Sequence, residues 1–247
     1  MYDLIGDIHG QSGKLTLLLQ KMGYEKQNGC YRHSERKALF IGDYIDRGPD
    51  NPGTLKIVRS MVESNSAIAL MGNHEYNALL FAAHNPKGGH LRPHSIKNIL
   101  QHIETLTQFR HNQDEFQSYL DWFHTLPLWF ENDDFRAVHA AWDKTHIQTI
   151  ASALPQKTIP EEYLAILSDK SSPLYHAVEE TLKGKEMRLP DGLHFTDKDG
   201  NQRNEIRIRW WMDPRAATWR DYSVIRADSL PNQKIPNDSV IADSFYG

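Results

Sequence analysis

Gly6-Asp7-Ile8-His9-Gly10-Gln11-Ser12-Gly13-Lys14 follows the apolar opening Met1-Tyr-Asp-Leu-Ile5 and admits two chemistries. Its glycines and lysine can be read as a loop that wraps a phosphate in backbone amides. Asp7 and His9 can equally be read as a grip on a metal ion. A phosphate loop needs GxxxxGK followed by Ser or Thr, set between a strand and a helix. Here six residues separate Gly6 from Gly13, Leu15 follows Lys14, and Asp7 would put negative charge where phosphates should lie. The spacing therefore favours the cation anchor, and the rest of the chain has to supply its partners.

Around this stretch, residues Tyr2 to Ile5 form a short apolar strand, and Leu15, Leu18, Leu19 and Met22 recur at helical spacing before Gly23 offers a stop. Lys37 to Gly42 is a second buried strand, followed by a turn-rich stretch from Arg47 to Gly53 and an amphipathic helix carrying Leu55, Ile57, Val58, Met61 and Val62. Ser66 to Met71 is a third strand and Glu75 to Ala83 the next helix. This β-α alternation predicts an α/β fold with a mainly parallel sheet. Further on, His84 to His94 reads as loop, Ile96 to Phe109 and Phe116 to Phe123 as helices, and Phe135 to His139 as a strand. Glu161 to Gly184 reads as interrupted helix. No linker or repeat divides the chain, which predicts one domain over 1–247.

Three segments share one design, an apolar strand, a glycine, then acidic, amide or imidazole side chains: Gly6-Asp7-Ile8-His9-Gly10, Gly42-Asp43-Tyr44-Ile45-Asp46-Arg47-Gly48 and Gly72-Asn73-His74-Glu75. Ligand sites in open α/β sheets gather outside the carboxyl ends of strands, so these tips are expected to meet in one crevice. In extended backbone Asp7 and His9 face the same way and can hold one ion. Carboxylate oxygen with imidazole nitrogen suits manganese, iron or zinc better than calcium. A carboxylate can bridge two ions in a two-metal phosphotransfer site, and Asp43 is the candidate bridge. Asn73 could also be simply the N-cap of its helix.

Composition narrows the partners. A net charge of -4 gives no bulk attraction to nucleic acid or anionic membrane, so phosphate affinity must be local. Cys30 is the single cysteine, which excludes an intrachain disulfide and thiolate zinc knuckles. No apolar run approaches a membrane span and the opening lacks a secretory signal pattern, which points to a cytoplasmic location.

Taken together, GDIHG, GDYIDRG and GNHE at positions 6, 42 and 72 resemble the signature blocks of the calcineurin-like metallophosphoesterases. The likeness is to the phosphoprotein phosphatase branch that includes bacteriophage lambda phosphatase and calcineurin. Arg136-Ala-Val-His139-Ala-Ala-Trp142 resembles the fourth block; beyond it the chain is only generally similar to bacterial relatives of polynucleotide kinase-phosphatase and diadenosine tetraphosphatase. The resemblance implies two mixed sheets packed face to face and flanked by helices. It implies two divalent ions, manganese first with iron or zinc as alternatives, held by Asp7, His9, Asp43, Asn73 and His139. His74 would be the general acid, oriented by Asp46, and Arg47 would grip phosphoryl oxygens.

The activity implied is that of a metal-dependent phosphomonoesterase of the protein serine/threonine phosphatase type, in which a metal-bridging hydroxide attacks phosphorus directly. Its partners would be phosphorylated proteins or small phosphoesters, with nucleotides open as substrates. Two alternatives stand beside it: a hydrolase of diadenosine polyphosphates or cyclic nucleotide phosphates, and a regulatory phosphate-binding protein with weak turnover. The family normally adds a histidine from a late Gly-His block, whereas no histidine follows His194 here, so the expectation is a chain truncated at its C-terminus.

Other residues carry weaker signals. Arg207 and Arg209 alternate in Ile206-Arg-Ile-Arg-Trp210, share a face if extended, and are candidates for phosphate contact. His90 and His94 either line the cleft or sit in a polar loop. Trp210, Trp211 and Trp219 are read as core residues, with base stacking as the alternative. His146 and His176 read as helix-surface residues. Asp197 to Asn201 is read as a hairpin turn between a strand near His194 and the strand from Ile206 to Trp210, and the proline-bearing tail from Pro231 as a loose excursion.

Overall fold

A computed structural model describes residues 1–196, 202–225 and 230–235. In chain order come β1 (Tyr2–Ile5), α1 (Ser12–Lys21), β2 (Glu25–Gln27), β3 (Cys30–Arg32), β4 (Lys37–Phe40), α2 (Asn51–Glu63), β5 (Ala67–Ala69) and α3 (Asn73–Ala82). They are followed by α4 (Ile96–Phe109), α5 (Gln113–Phe123), β6 (Trp129–Glu131), β7 (Arg136–Val138), α6 (Lys144–Ala153) and α7 (Pro173–Lys183). Two short 3-10 turns, Glu161–Tyr163 and Ile166–Ser168, precede α7 where a longer interrupted helix was expected. The last elements are β8 (Glu186–Arg188), β9 (Phe195–Thr196), β10 (Gln202–Arg203), β11 (Glu205–Arg207) and α8 (Trp219–Tyr222).

The three strands of the first third form a parallel sheet in the order β1-β4-β5, with Leu4 opposite Leu39 and Leu39 opposite Ile68. Alternation along these strands gives the sheet two apolar faces. Ile5, Ala38, Phe40, Ala67 and Ala69 join the large core made with α1 and α2, whose Leu15, Leu19, Leu55, Val58 and Met61 are buried. Tyr2, Leu39, Ile41, Ile68 and Leu70 turn the other way and pack with Phe130, Phe135 and Ala137 of the antiparallel β6-β7 ribbon. Strand ribbon therefore lies on one face of the sheet and helices on the other, which makes the fold mixed rather than simply parallel. Tyr2 meets Phe130 and Phe135 with ring centroids 5.2 and 5.7 Å apart across this interface.

A second apolar cluster is built from Leu189, Phe195, Ile206, Ile208, Trp219, Tyr222, Leu230 and Ile235. Here the pairing departs from the expected hairpin. β11 pairs antiparallel with β8, while β9 pairs with β10, and the turn residues Asp197 to Asn201 lie outside the described residues. The strand also ends at Arg207 rather than running on to Trp210. Part of the supposed loose tail is packed: Leu230 and Ile235 are buried, and the Trp219 and Arg220 amides donate to the carbonyls of Gln233 and Pro231. The tail from Pro236 onward lies outside the described residues. Among the described residues no helix is long and apolar enough to cross a membrane.

Candidate metal and catalytic site

The three strand tips meet, because their loops are sewn together by backbone hydrogen bonds. The amides of Ile8 and His9 donate to the Asp43 carbonyl at 3.0 and 2.9 Å, and Gly10 donates to Tyr44 at 2.8 Å. Glu75, fully buried, then joins the second loop to the third. Its carboxylate accepts from the amides of Gly72, Asp43 and Tyr44 at 3.0, 2.9 and 2.8 Å. Gly72, not Asn73, is the N-cap of α3, and Glu75 reaches back to the Gly72 amide, the half of a capping box that needs no N-cap side chain. Desolvation, followed by the nearby Asp43 charge, pushes the Glu75 carboxyl up to about 7.

Close approach leaves no room for side chains at the junction. A Cβ on Gly42 would sit 2.5 Å from the Gly72 Cα and 2.8 Å from His139 Nδ1, and the φ of Gly42 is +102°. Strain collects here as well. Of the seven non-glycine residues with positive φ among those described, four are His9, Asp43, Asp46 and Arg47. Backbone held in this region persists only where its surroundings over-determine it, and such residues gather at functional sites.

Asp43 is the centre. Its Oδ2 lies 3.7 Å from His9 Nε2 and its Oδ1 lies 3.5 Å from His139 Nε2, so one carboxylate presents an oxygen to each side. Donor atoms of Asp7, Asp43 and His139 form one group close enough to share an ion, and His9, Asp43 and His74 form another; Asp43 belongs to both. Asn73 Oδ1 is 3.1 Å from His139 Nε2. Extended backbone was expected to set Asp7 and His9 on one ion, but His9 has a φ of +45°, Asp7 groups with Asp43 and His139, and His9 Nε2 is 3.9 Å from Asp7; the other four expected metal residues still gather around Asp43.

The residues fit divalent ions. His9 Nδ1 donates to the Ile45 carbonyl at 2.8 Å and His139 Nδ1 to the Ile41 carbonyl at 2.6 Å. Each bond leaves Nε2 as the lone-pair side facing Asp43, the usual way a backbone carbonyl orients a metal-binding histidine. His9 Nε2 is buried with no hydrogen-bond partner, and burial holds its pKa below the ordinary value. An unpartnered, neutral imidazole nitrogen among carboxylates is what a cation requires.

Beside this cluster stands the acid pair. His74 Nδ1 lies 2.6 Å from Asp46 Oδ2, its Nε2 faces Asp43 at 3.9 Å, and Arg47 Nη2 is 3.4 Å from the same nitrogen. Burial opposes the charged imidazole, but the Asp46 bond and the Asp43 charge outweigh it, and the His74 pKa is raised. Burial likewise opposes ionised Asp46, yet bonds from His102, His74 and Thr105 hold it well below the usual carboxylate range. His102 and Thr105 come from α4, and sequence reading assigned them nothing. His102 Nδ1 is 2.7 Å and Thr105 Oγ1 2.6 Å from Asp46 Oδ1.

Asp7, Asp43, Asn73, His139, His74, Asp46, Arg47 and His102 line one cleft of about 1030 Å³, whose far walls come from α4 and from the segment after α7. The two candidate arginines part company. Arg207 lines the cleft and is 3.9 Å from Glu186, whereas Arg209 lies outside it against Met212, because the strand ends before the alternation can continue. Arg92 is the residue of the 84–94 loop that reaches the cleft, held by Asn77 and Gln101 at 3.0 and 2.8 Å. His90 and His94 instead stack on one another, with His94 against Phe81. Trp219 is core as expected, but Trp210 and Trp211 line the cleft and Trp211 is 62% exposed. His146, part-buried, and His176, exposed, lie on helices away from the cleft, and His194 is exposed and does not line it.

The family model for calcineurin-like phosphoesterases matches residues 2–191, which contain the five expected metal residues and the expected acid pair. The chain belongs to the calcineurin-like phosphoesterase family. Within it, the asymmetrical bis(5'-nucleosyl)-tetraphosphatase PrpE of Oceanobacillus iheyensis is 30% identical over 139 residues, 56% of this chain and 54% of the relative. The protein of the same name from Bacillus subtilis is 29% identical over 142 residues, 56% and 57% of the two chains. This phosphoesterase chain thus spans about half the length of the curated relatives it matches. A yeast protein serine/threonine phosphatase of known structure, from Saccharomyces cerevisiae, overlaps at 21% identity and a TM-score of 0.39, covering 57% of this chain and 38% of that one. So loose an overlap carries no weight for substrate.

Proposed function

We propose that this phosphoesterase hydrolyses nucleoside polyphosphates, splitting dinucleoside tetraphosphates into unequal nucleotides. The observation that carries the reading is one cleft lined at once by the Asp43-centred cluster, by Arg92 and Arg207 and by exposed Trp211. It has room and charge for a polyphosphate chain and an apolar end for a nucleoside. The similarity to PrpE tetraphosphatases supports the same reading over the phosphoprotein substrates suggested by the signature blocks.

Two manganese ions, our proposed occupants of the site, would supply Lewis-acid stabilisation of phosphoryl oxygens and lower the pKa of a water at neutral pH. Asp7, His9, Asp43, Asn73 and His139 are the residues proposed to hold them. Arg47 stands beside His74 with its guanidinium available to the equatorial oxygens on which charge accumulates. Arg92 and Arg207 line the same cleft and neutralise the rest of the chain of phosphates. As the water oxygen bonds to phosphorus, the bond from phosphorus to the leaving oxygen breaks, and His74 donates its Nε2 proton to that oxygen. Asp46 keeps the opposite nitrogen donating and stabilises the charged imidazole. The buried free thiol of Cys30 suits a reducing compartment, and we place the protein in the cytoplasm.

The test is a comparison of kcat/KM for diadenosine tetraphosphate, a phosphoserine peptide and an aryl phosphate with manganese added, products resolved by chromatography. The tetraphosphate should be preferred and should yield a monophosphate with a triphosphate. A preference for the phosphopeptide would overturn the reading.

A further inference from the structure

Trp211 stands in the wall of the catalytic cleft with 62% of its surface open, in a molecule whose other large aromatic side chains are mostly buried. It is braced rather than loose. Its ring meets that of Trp210 edge-on, with centroids 5.7 Å apart and planes at 89°. Trp210 in turn donates its indole N–H to the Ala140 carbonyl at 2.9 Å, one residue beyond His139. The pair is therefore tied to the backbone that carries a metal-site histidine.

The same cleft has further exposed apolar surface at Leu100 and Ile103 of α4, 63% and 39% open, and at Val224, 42% open. Exposed apolar area of this kind, continuous with a polar reaction centre, marks a ligand surface. Arg92 and Arg207 line the same cleft. A ligand that matches this lining carries anionic groups together with a flat apolar one. Every nucleobase has such a face, and indole rings stack on it without needing its edge.

We infer that Trp211, braced by Trp210, is the stacking platform for a nucleobase of the substrate and thereby determines preference for nucleotides over other phosphoesters. This deepens the proposed function and rests on it for the identity of the substrate, while the platform itself can be tested without turnover. Adenosine, which has a base and no phosphate, is the probe for calorimetric titration of the manganese-loaded protein. Trp211→Ala should weaken adenosine binding about tenfold to a hundredfold, the loss of one base–aromatic stack, and Trp211→Phe should restore most of it. The ratio of kcat/KM for diadenosine tetraphosphate to that for inorganic tripolyphosphate should fall by a similar factor in Trp211→Ala. Adenosine that does not bind the wild type, or binds wild type and Trp211→Ala alike, overturns the platform. A wild type that binds adenosine through Trp211 but leaves the tetraphosphate intact overturns the proposed function and upholds the platform.

Discussion

His102 Nδ1 lies 2.7 Å from Asp46 Oδ1, on the carboxylate oxygen that His74 leaves free. The second imidazole holds Asp46 in the plane that aims His74, which makes His102 a positioning residue. His102→Phe keeps an aromatic ring beside Phe81 and Phe116 but removes the bond. Steady-state kinetics on phenyl phosphate should show kcat reduced about tenfold to a hundredfold, the worth of one hydrogen bond to a charged group, with KM little changed. His102→Gln, which keeps a donor, should recover part of the loss. Unaltered kcat in a folded His102→Phe protein would remove this role.

The proton given by His74 matters in proportion to how poorly the leaving oxygen carries charge. His74→Asn should cost about 10² to 10⁴ in turnover of phenyl phosphate, and much less with 2,4-dinitrophenyl phosphate or with phosphoanhydrides. The check is the slope of log kcat/KM against leaving-group pKa, which should steepen in the variant. Equal losses across the series would mean that His74 is not the acid.

One carboxylate facing two imidazoles predicts unequal effects on metal content. Asp43→Asn should reduce the metal-to-chain ratio at both positions, whereas His139→Ala should reduce it chiefly at one. Elemental analysis after equilibration with manganese measures both. Exhaustive chelation should abolish hydrolysis and readdition of manganese restore it.

Glu75 is worth more to the fold than to the chemistry. Glu75→Ala would leave four buried amides, those of Gly72, Asp43, Tyr44 and, at 3.4 Å, Ile45, without this acceptor. Each unsatisfied buried donor costs about 1–3 kcal/mol, so denaturant unfolding should show a loss of roughly 3 kcal/mol or more. A change below about 1 kcal/mol would mean the loops are held by something else.

Asp143 caps α6 at the His146 amide, 3.0 Å away, and pairs with Lys185 just before β8. Burial raises its pKa, but the Lys185 bond and the capping amide prevail and its pKa is lowered. A depressed folded value means that the contribution is full above the ordinary aspartate pKa of about 4 and is lost as pH falls through the lower folded value. Asp143→Asn should therefore be less stable than wild type at pH 7 and converge with it as pH falls through the lowered folded value. Thermal unfolding of both proteins across that range is the measurement.

That the candidate metal residues converge was legible because local covalent order carries most of their placement. Asp7, His9, Asp43, Asn73 and His139 all follow short apolar runs, and glycines flank or precede several of them where loops must turn or touch. Glu75 was within reach, since a glutamate at the third position of a helix can bond back to the N-cap amide. Arg209 was misplaced because alternation was extended past the point where β11 stops pairing with β8. A strand's facing rule holds only while its ladder continues.

Residue order is enough to say that three strand ends carry oxygen and imidazole donors, and that α/β alternation brings those ends to one edge. Packing in three dimensions was needed to show that α4 delivers His102 and Thr105 to Asp46, that Arg92 rather than His90 or His94 enters the cleft, and that Trp211 is exposed there while Trp219 is buried. The physical reason is range. Strand periodicity and turn chemistry act between neighbours along the chain, whereas the partner of a carboxylate fifty-six residues away is chosen by how whole helices pack.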